Sequence, residues 1–367
     1  MKKSFVHRTL SLRTFFDSSA LWLSMLIGAV GYRYFLPLAP TLPWLIFFML
    51  FFTFCKVNPL DLRLHKWHWI VLFTQVVFSI ATYLGVYWIT ENRYMAQGLM
   101  LCFIMPTATA APIIAGKMGG SIQNLTTFTL LSNFATTLLV PTIFPLVNPL
   151  AEKAFWPAFT LILSHITPLL LGPFFLAWLV RLSVNYYYRR KNLSASETRG
   201  LSVKRSFSES GLSAEGGLPT FVLPQKLALI PFYLWVASIV VLTSVVTETT
   251  IINFQSQRSN ILILLVCSFF ICLIQFGLGK LIGYWLPAPS KGRDYQDVLI
   301  NPAAAPKTMA GVSSITAGQA FGQKNTSLGV WMANTYLDPM ASLGAAAYII
   351  WQNIFNSAQL FFAARKK

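Results

Sequence analysis

The polar chemistry of this chain is concentrated near its C-terminal end, in the stretch ITAGQAFGQKNTSLGVWM at residues 315–332. The stretch is apolar enough to lie in a membrane, but its middle carries glutamine, lysine, asparagine, threonine and serine in close order. In hydrocarbon, backbone and polar side-chain groups must be satisfied within the protein, so a regular spanning helix avoids such a run. The pattern therefore predicts a helix that breaks at depth, where irregular backbone lines a cavity.

Lys324 is the most unfavourable residue of this run in a membrane, because a lysine at the centre of a spanning helix raises the free energy of insertion by about 2.5–3.5 kcal/mol. All 11 Asp and Glu residues fall in predicted loops or at predicted span ends, so no carboxylate is expected beside it. A buried ammonium without a partner either loses its proton or awaits an anion, and an anionic substrate would supply that partner. The alternative is a short polar loop with Lys324 at the surface. His165 is the other ionisable group expected at depth, where a lone histidine is more often structural than a proton relay.

A second interrupted segment lies in the first half of the chain, where residues 100–120 read MLCFIMPTATAAPIIAGKMGG. Pro112 lacks a helix donor, and Pro106 restricts the residue before it. A break is therefore predicted around Thr107–Pro112. A proline kink in a buried structural helix is the alternative, and two breaks at corresponding positions make it the weaker one.

Composition places these segments in a membrane protein. The chain has 367 residues, of which 55% are hydrophobic and only 11% are charged, whereas soluble domains carry about 25% charged residues. The formal charge of +17 does not indicate a nucleic-acid partner, because the basic residues lie between apolar segments as the positive-inside rule requires. The four cysteines lie within or beside apolar runs and have no metal-ligand spacing, so no metal site is predicted.

Apolar windows of about 20 residues predict ten transmembrane helices and an all-α polytopic fold in the inner (plasma) membrane. Their expected limits are 18–37, 42–56, 67–90, 94–117, 121–148, 155–184, 224–247, 259–286, 305–332 and 338–363. Basic residues collect in alternate loops, which predicts that both termini are cytoplasmic.

The serine- and arginine-rich segment 185–223 is predicted to be a flexible cytoplasmic loop between the two halves. It follows a cytoplasmic arm at 1–17, a first five-helix repeat at 18–150 and the first helix of a second repeat at 151–184. The rest of the second repeat occupies 224–367. Five spans per half give the repeats inverted topology, with broken crossing helices 4 and 9, an arrangement common in secondary transporters.

Several motifs together resemble the bile acid:sodium symporter family over most of residues 18–363. The run PTATAAPIIAGKMGG, the end of the fifth span at Thr137–Pro141 and the turn KVNPLD at 56–61 are similar to family motifs. So are GQKNTSLG at the ninth span and the Trp-Gln-Asn sequence at 351–353. The resemblance implies a ten-span core-and-panel architecture that transports organic anions by alternating access.

The resemblance also implies sodium ligands, and most of them do not carry over to this chain. The family's Ser-Asn pair falls on Ala111-Pro112, its glutamate on Ala320 and the glutamine after it on Lys324. The residues that remain as possible ion ligands are Gln75, Thr129, Asn133, Gln319 and Asn325. We therefore expect no cofactor, with sodium or proton coupling left open.

The sequence predicts a non-enzymatic carrier for an organic anion, such as a bile-acid-like compound, a steroid conjugate or a small carboxylate. The expected substrate-binding residues, all at the two breaks, are Thr107, Thr109, Pro112, Gln319, Gln323, Lys324, Asn325 and Thr326. A sodium-coupled symporter with rearranged ligands is the first alternative. A membrane enzyme, which would need clustered acids or a nucleophile constellation, and a non-transporting receptor are the others. The expected partners are the small anion and the lipid bilayer, and the oligomeric state is open.

Overall fold

A computed structural model of the chain describes residues 23–55, 62–148, 154–196, 230–288 and 309–365. Every regular element within these ranges is a helix, so the all-helical fold class is confirmed. The arm at 1–17, the turn at 56–61 and most of the predicted loop at 185–223 lie outside the described residues.

Helical backbone covers residues 23–30 and Tyr32–Phe35, and a 3-10 stretch follows at Leu36–Thr41. The chain then forms α1 (Leu42–Phe54), α2 (Lys66–Thr90), α3 (Arg93–Ile104), α4 (Ala111–Lys117), α5 (Ile122–Val147), α6 (Phe155–Leu170), α7 (Gly172–Ser196), α8 (Ile230–Trp285), α9 (Met309–Gly322), α10 (Thr326–Tyr336) and α11 (Ser342–Arg365).

Within the described ranges, five helical segments are long and apolar enough to cross a membrane. They are Tyr32–Phe54, Lys66–Thr90, Ile122–Val147, Phe155–Val184 and Tyr233–Trp285. Soluble proteins bury such segments, but in α2 only 17% of the most apolar window is buried. This pattern is that of a membrane-embedded protein, whose long apolar helices expose large hydrophobic side chains to lipid.

The interrupted helices occupy the interior instead. Every residue of α3 from Met95 to Ile104 is buried, and so is every residue of α9 from Thr316 to Gly322. Their buried side chains join two hydrophobic clusters that also include residues of α1, α5, α8 and α11. The broken helices therefore lie in the interior together with α5, whose most apolar window is 61% buried.

Several helix limits can be compared with those expected. The predicted span 155–184 is one candidate membrane span, interrupted only at Leu171, where Pro173 lies in the first turn of the helix that follows. That helix, α7, continues into the predicted loop as far as Ser196, since the sequence there contains no glycine or proline. The predicted spans 224–247 and 259–286 form one helical run, α8, with non-helical backbone only at Gln257 (φ −126°, ψ 21°). Gln257 separates two helices, at 230–256 and 258–285, and at 1.5 Å per residue each is roughly 40 Å long, enough to cross the hydrocarbon core.

The part of α8 before Gln257 also changes the position of one carboxylate. Glu248, expected at a span end, lies inside this helix and is half-buried.

Local chemistry explains where the interrupted helices end. Met105 precedes a proline and adopts extended backbone (φ −52°, ψ 137°), which terminates α3. The break therefore occupies residues 105–110, slightly before the predicted position, and Pro112 lies in the first turn of α4. The second break separates Gly322 from Thr326, and the Asn325 side chain caps α10 by accepting from the backbone N–H of Leu328.

Candidate functional site

The two breaks lie against each other at the centre of the molecule. Thr107 and Lys324 form an isolated antiparallel β-bridge, although 217 positions separate them along the chain. The backbone N–H of Ala108 donates to the carbonyl of Gln323 at 3.0 Å, and that of Asn325 donates to the carbonyl of Pro106 at 2.7 Å. Backbone groups that each helix exposes by breaking are therefore satisfied by the other break.

Thr107 fixes this arrangement with its side chain as well. Its hydroxyl donates to the carbonyl of Ala320, near the end of α9, at 2.7 Å. Its backbone N–H donates to the hydroxyl of Ser132 in α5 at 3.2 Å. Thr107 is completely buried, so these bonds replace the water that the irregular backbone would otherwise need.

Lys324 makes the corresponding contact in the other direction. Its side chain is 1% exposed, and its ammonium donates to the carbonyl of Phe103, near the end of α3, at 2.9 Å. The same nitrogen lies 5.1 Å from the ring centroid of Phe321. A cation is favourable at both places, because the C-terminal end of a helix carries partial negative charge and an aromatic face attracts cations. The surface position considered as an alternative for Lys324 is therefore wrong.

Side chains from other helices bind the remaining carbonyls at the end of α3. Gln275 in α8 donates to the carbonyl of Cys102 at 2.9 Å. Gln75 in α2 donates to the carbonyls of Ile104 and Met105, each at 3.3 Å. Together with the ammonium of Lys324, these contacts hold the broken end of α3 in a fixed position.

Five amide side chains of α9 and α11 make hydrogen bonds next to Lys324. The backbone N–H of Lys324 donates to the side-chain oxygen of Gln352 at 3.0 Å. Gln323 donates to Gln319, and also to Asn356 at 3.1 Å. Gln319 in turn donates to Gln359 at 3.1 Å. We call these five side chains, Gln319, Gln323, Gln352, Asn356 and Gln359, the amide ladder.

The α11 members of the amide ladder were not among the residues expected from the sequence. Gln352, Asn356 and Gln359 recur at intervals of four and three, so they share one helical face. That spacing within an otherwise apolar segment is the sequence signal that would have identified them.

The expected substrate-binding residues do not all play one role. Gln319, Gln323 and Lys324 belong to the hydrogen-bonded centre, whereas the Thr109 hydroxyl makes no hydrogen bond within the described part of the chain and is half-buried. Asn325 uses its side-chain oxygen as the cap of α10, and its buried amide nitrogen has no hydrogen-bond partner. Thr326 is buried at the start of α10, and Pro112 is buried in the first turn of α4. Within the described residues, the Thr109 hydroxyl, the buried Asn325 amide nitrogen and the ammonium of Lys324 thus keep hydrogen-bonding capacity for a ligand.

The expected ion-binding residues are separated into two groups. One group lies in α2 and α5 and consists of Gln75, Thr129 and Asn133. The other lies in α9 and the break that follows it, and consists of Gln319 and Asn325. Thr129 donates its hydroxyl to a carbonyl of its own helix. The side-chain oxygens of Gln75 and Asn133 are buried and have no hydrogen-bond partner. Of the five, these two therefore offer oxygens free to accept.

His165 lies outside this centre. Its ring nitrogen Nδ1 is 3.1 Å from the hydroxyl of Tyr336, at the end of α10, and its side chain is exposed. Among the described residues, no group of three or more His, Cys, Asp or Glu side chains is placed to hold a metal ion.

Comparison with known proteins finds no family model and no curated protein that matches this chain.

Proposed function

We propose that this chain is a secondary transporter that carries an organic anion across the inner membrane by alternating access. The observation that carries the proposal is the ammonium of Lys324, buried at the meeting point of two broken helices. An ammonium has three N–H donors, and within the described residues one of them meets an acceptor, the carbonyl of Phe103. A substrate carboxylate or sulfonate would supply both the missing acceptors and the missing negative charge.

The proposed architecture has ten spans in two inverted repeats, as in the bile acid:sodium symporter family that the sequence resembles. The reciprocal contacts support it, because Thr107 donates to the end of α9 and Lys324 donates to the end of α3. The length of α8 supports the proposed number of ten spans, since the kink at Gln257 divides α8 into two segments that are each long enough to cross the membrane. In this proposal both termini are cytoplasmic.

The second element of the proposal is that Lys324 replaces a bound cation. It occupies the position of a family sodium ligand by resemblance, and its ammonium binds the carbonyl end of α3 as a cation would. Transport is then independent of sodium. If Lys324 gives up its proton when the site is empty, transport is linked to protons instead.

Uptake into proteoliposomes tests both elements. Purified protein is supplied with bile-acid-like compounds, steroid conjugates and small carboxylates, in sodium buffer and in potassium buffer. We expect uptake of at least one class at equal rates in the two buffers, and its loss in Lys324→Gln. Lys66→Gln, which changes an exposed lysine at the start of α2, is the matched control and should transport normally. Sodium stimulation of the wild type, or full activity of Lys324→Ala, would contradict the role of Lys324.

A sodium-coupled symporter is the second candidate, and a specific observation favours it. The side-chain oxygens of Gln75 and Asn133 are buried without hydrogen-bond partners, and neutral oxygens of this kind can coordinate a small cation. In this case uptake requires sodium, and Gln75→Leu raises the sodium concentration for half-maximal uptake. Lys324→Gln combined with Ala320→Glu should create sodium dependence if Lys324 replaces the cation. A receptor that does not transport would bind anions in the same preparation without any flux.

A further inference from the structure

A second lysine lies within the apolar part of the chain. Lys280 belongs to α8, five residues before the helix ends at Trp285, and its side chain is half-buried. Within the described residues, no hydrogen bond or ion pair to its ammonium is found, although the backbone carbonyl of Lys280 accepts from the hydroxyl of Ser314 at 2.9 Å. Three of the described residues are carboxylates, and two of these, Glu91 and Asp338, lie at helix ends.

The packing of α8 against α9 makes room for this side chain. A Cβ atom at Gly279 would lie 2.5 Å from the carbonyl oxygen of Ala317, so the two backbones are in direct contact there. A Cβ atom at Gly318 would lie 2.6 Å from Cγ of Lys280 and 3.5 Å from its Cε. The stem of Lys280 therefore lies along α9 at Gly318, where any larger residue would displace it.

The amide ladder ends at the level of Lys280. Phe276 of α8 stacks on Phe355 of α11 with ring centroids 5.8 Å apart, and Lys280 and Gln359 each lie one turn further along their helices. The two helices run in the same direction, because Leu265 and Trp351 are bonded earlier along both. Gln359 accepts from Gln319, which is the neighbour of Gly318 on α9.

We propose that Lys280, with Ser314, Gln319 and Gln359, forms a second anion site in the same carrier. This second site binds the carboxylate or sulfonate group of an organic anion. Its assignment rests on the proposed transport of such anions. The site and Lys324 share helix α11, because Gln352 binds the backbone of Lys324 and Gln359 lies two turns further along the same helix. The substrate anion then occupies the Lys280 site on its way between Lys324 and the end of α8.

A cysteine at position 314 reports on the charge of this site without any transport measurement. Ser314→Cys is close to isosteric, and the half-buried Ser314 hydroxyl bonds the backbone of Lys280. Its reaction rates are measured with an anionic (sulfonatoethyl) and a cationic (trimethylammonioethyl) methanethiosulfonate, with the wild type as the blank for the four native cysteines. We expect Lys280→Gln to lower the ratio of anionic to cationic rates by about tenfold, as for a unit charge some 6 Å away in water.

Two variants control for the charge change. Lys280→Arg keeps the charge and should keep the ratio. Arg258→Gln removes an exposed charge from the same helix at roughly 33 Å, several Debye lengths away, and should leave the ratio unchanged. An unchanged ratio in Lys280→Gln would overturn the proposal and leave Lys280 as a lysine that reaches the lipid headgroups. No reaction with either reagent would also overturn it, because the site would be closed to water.

Protection by small anions tests binding itself. Benzoate and benzenesulfonate should slow modification of Ser314→Cys in the Lys280 background and not in Lys280→Gln, whereas the neutral benzyl alcohol should have no effect. An absence of protection by both anions would overturn the second site even if the rate ratio depends on Lys280. Lys324→Gln should leave the rate ratio unchanged, so a failure of the second site is distinguishable from a failure of transport at Lys324.

Discussion

Thr107 and Lys324 pair across the two breaks, and each donates a side-chain hydrogen bond to a carbonyl of the helix that precedes the other. The Thr107 hydroxyl binds Ala320 in α9 at 2.7 Å, and the Lys324 ammonium binds Phe103 in α3 at 2.9 Å. The exchange is unequal in charge, because one donor is neutral and the other is an ammonium. Within the described residues, Lys324 is the ionisable side chain in these contacts between the two breaks.

The Thr107 contact should contribute to folding. Thr107→Val removes the hydroxyl and leaves the buried carbonyl of Ala320 without its donor, so we expect a loss of about 1–3 kcal/mol in the free energy of unfolding. Thr107→Ser keeps the hydroxyl and should lose less. Thermal unfolding of purified protein in detergent measures both. Thr109→Val, at a half-buried position without a hydrogen bond, is the control, and an equal loss there would contradict the assignment.

Asn325 should affect substrate affinity separately from folding. Asn325→Ser keeps a side-chain oxygen that can cap α10 but removes the unpartnered amide donor. We expect the concentration for half-maximal anion uptake to rise by about five- to 150-fold, which corresponds to 1–3 kcal/mol. The unfolding temperature should change little, because a good N-cap residue remains and no charge is buried. Unchanged affinity in both Asn325→Ser and Thr109→Val would place the substrate elsewhere.

Gln352 should hold the backbone of the second break. Gln352→Leu leaves the buried N–H of Lys324 without an acceptor, and we expect a loss of about 1–3 kcal/mol in unfolding free energy. Its neighbour Asn353 bonds only the carbonyl of Ile349 in the same helix, so Asn353→Leu is the matched control. If the two variants unfold alike, the contact to Lys324 carries no measurable stability.

Two glycines should respond to alanine in opposite ways. A Cβ atom at Gly344 in α11 would overlap the backbone of Gly98 in α3, whereas one at Gly85 in α2 would meet nothing within 4 Å. Gly344→Ala should therefore destabilise the protein by about 1–3 kcal/mol, as overpacking does. Gly85→Ala should cause no loss, since alanine is the better helix former. Comparable unfolding temperatures for the two variants would show that α3 and α11 tolerate separation.

Orientation is testable at the predicted loop, outside the described residues. The basic residues around 185–223 predict a cytoplasmic position. In right-side-out vesicles, a cysteine introduced at Ser206 should not react with a membrane-impermeant maleimide until the membrane is permeabilised. The wild type, with its four native cysteines, gives the background. Ready labelling of intact vesicles would reverse the proposed orientation.

The sequence by itself determined that this is a membrane protein and that two of its helices are interrupted. A charged fraction of 11% and long apolar windows require lipid as the surrounding solvent, whatever the tertiary arrangement. Pro106 forces extended backbone on Met105, and the polar run after Gly322 supplies the cap of α10. These are properties of neighbouring residues, so they can be read without knowledge of the fold.

Only the tertiary structure decided which groups satisfy one another. The acceptor of the Lys324 ammonium lies 221 positions earlier in the chain, and that of the Thr107 hydroxyl lies 213 positions later. A backbone carbonyl has no sequence signature, so nothing in the residue types could identify Phe103 or Ala320 as a partner. The half-buried position of Lys280 likewise has no sequence signature, because it depends on a glycine of another helix. Such contacts are fixed by how the helices pack, and packing depends on all the helices at once.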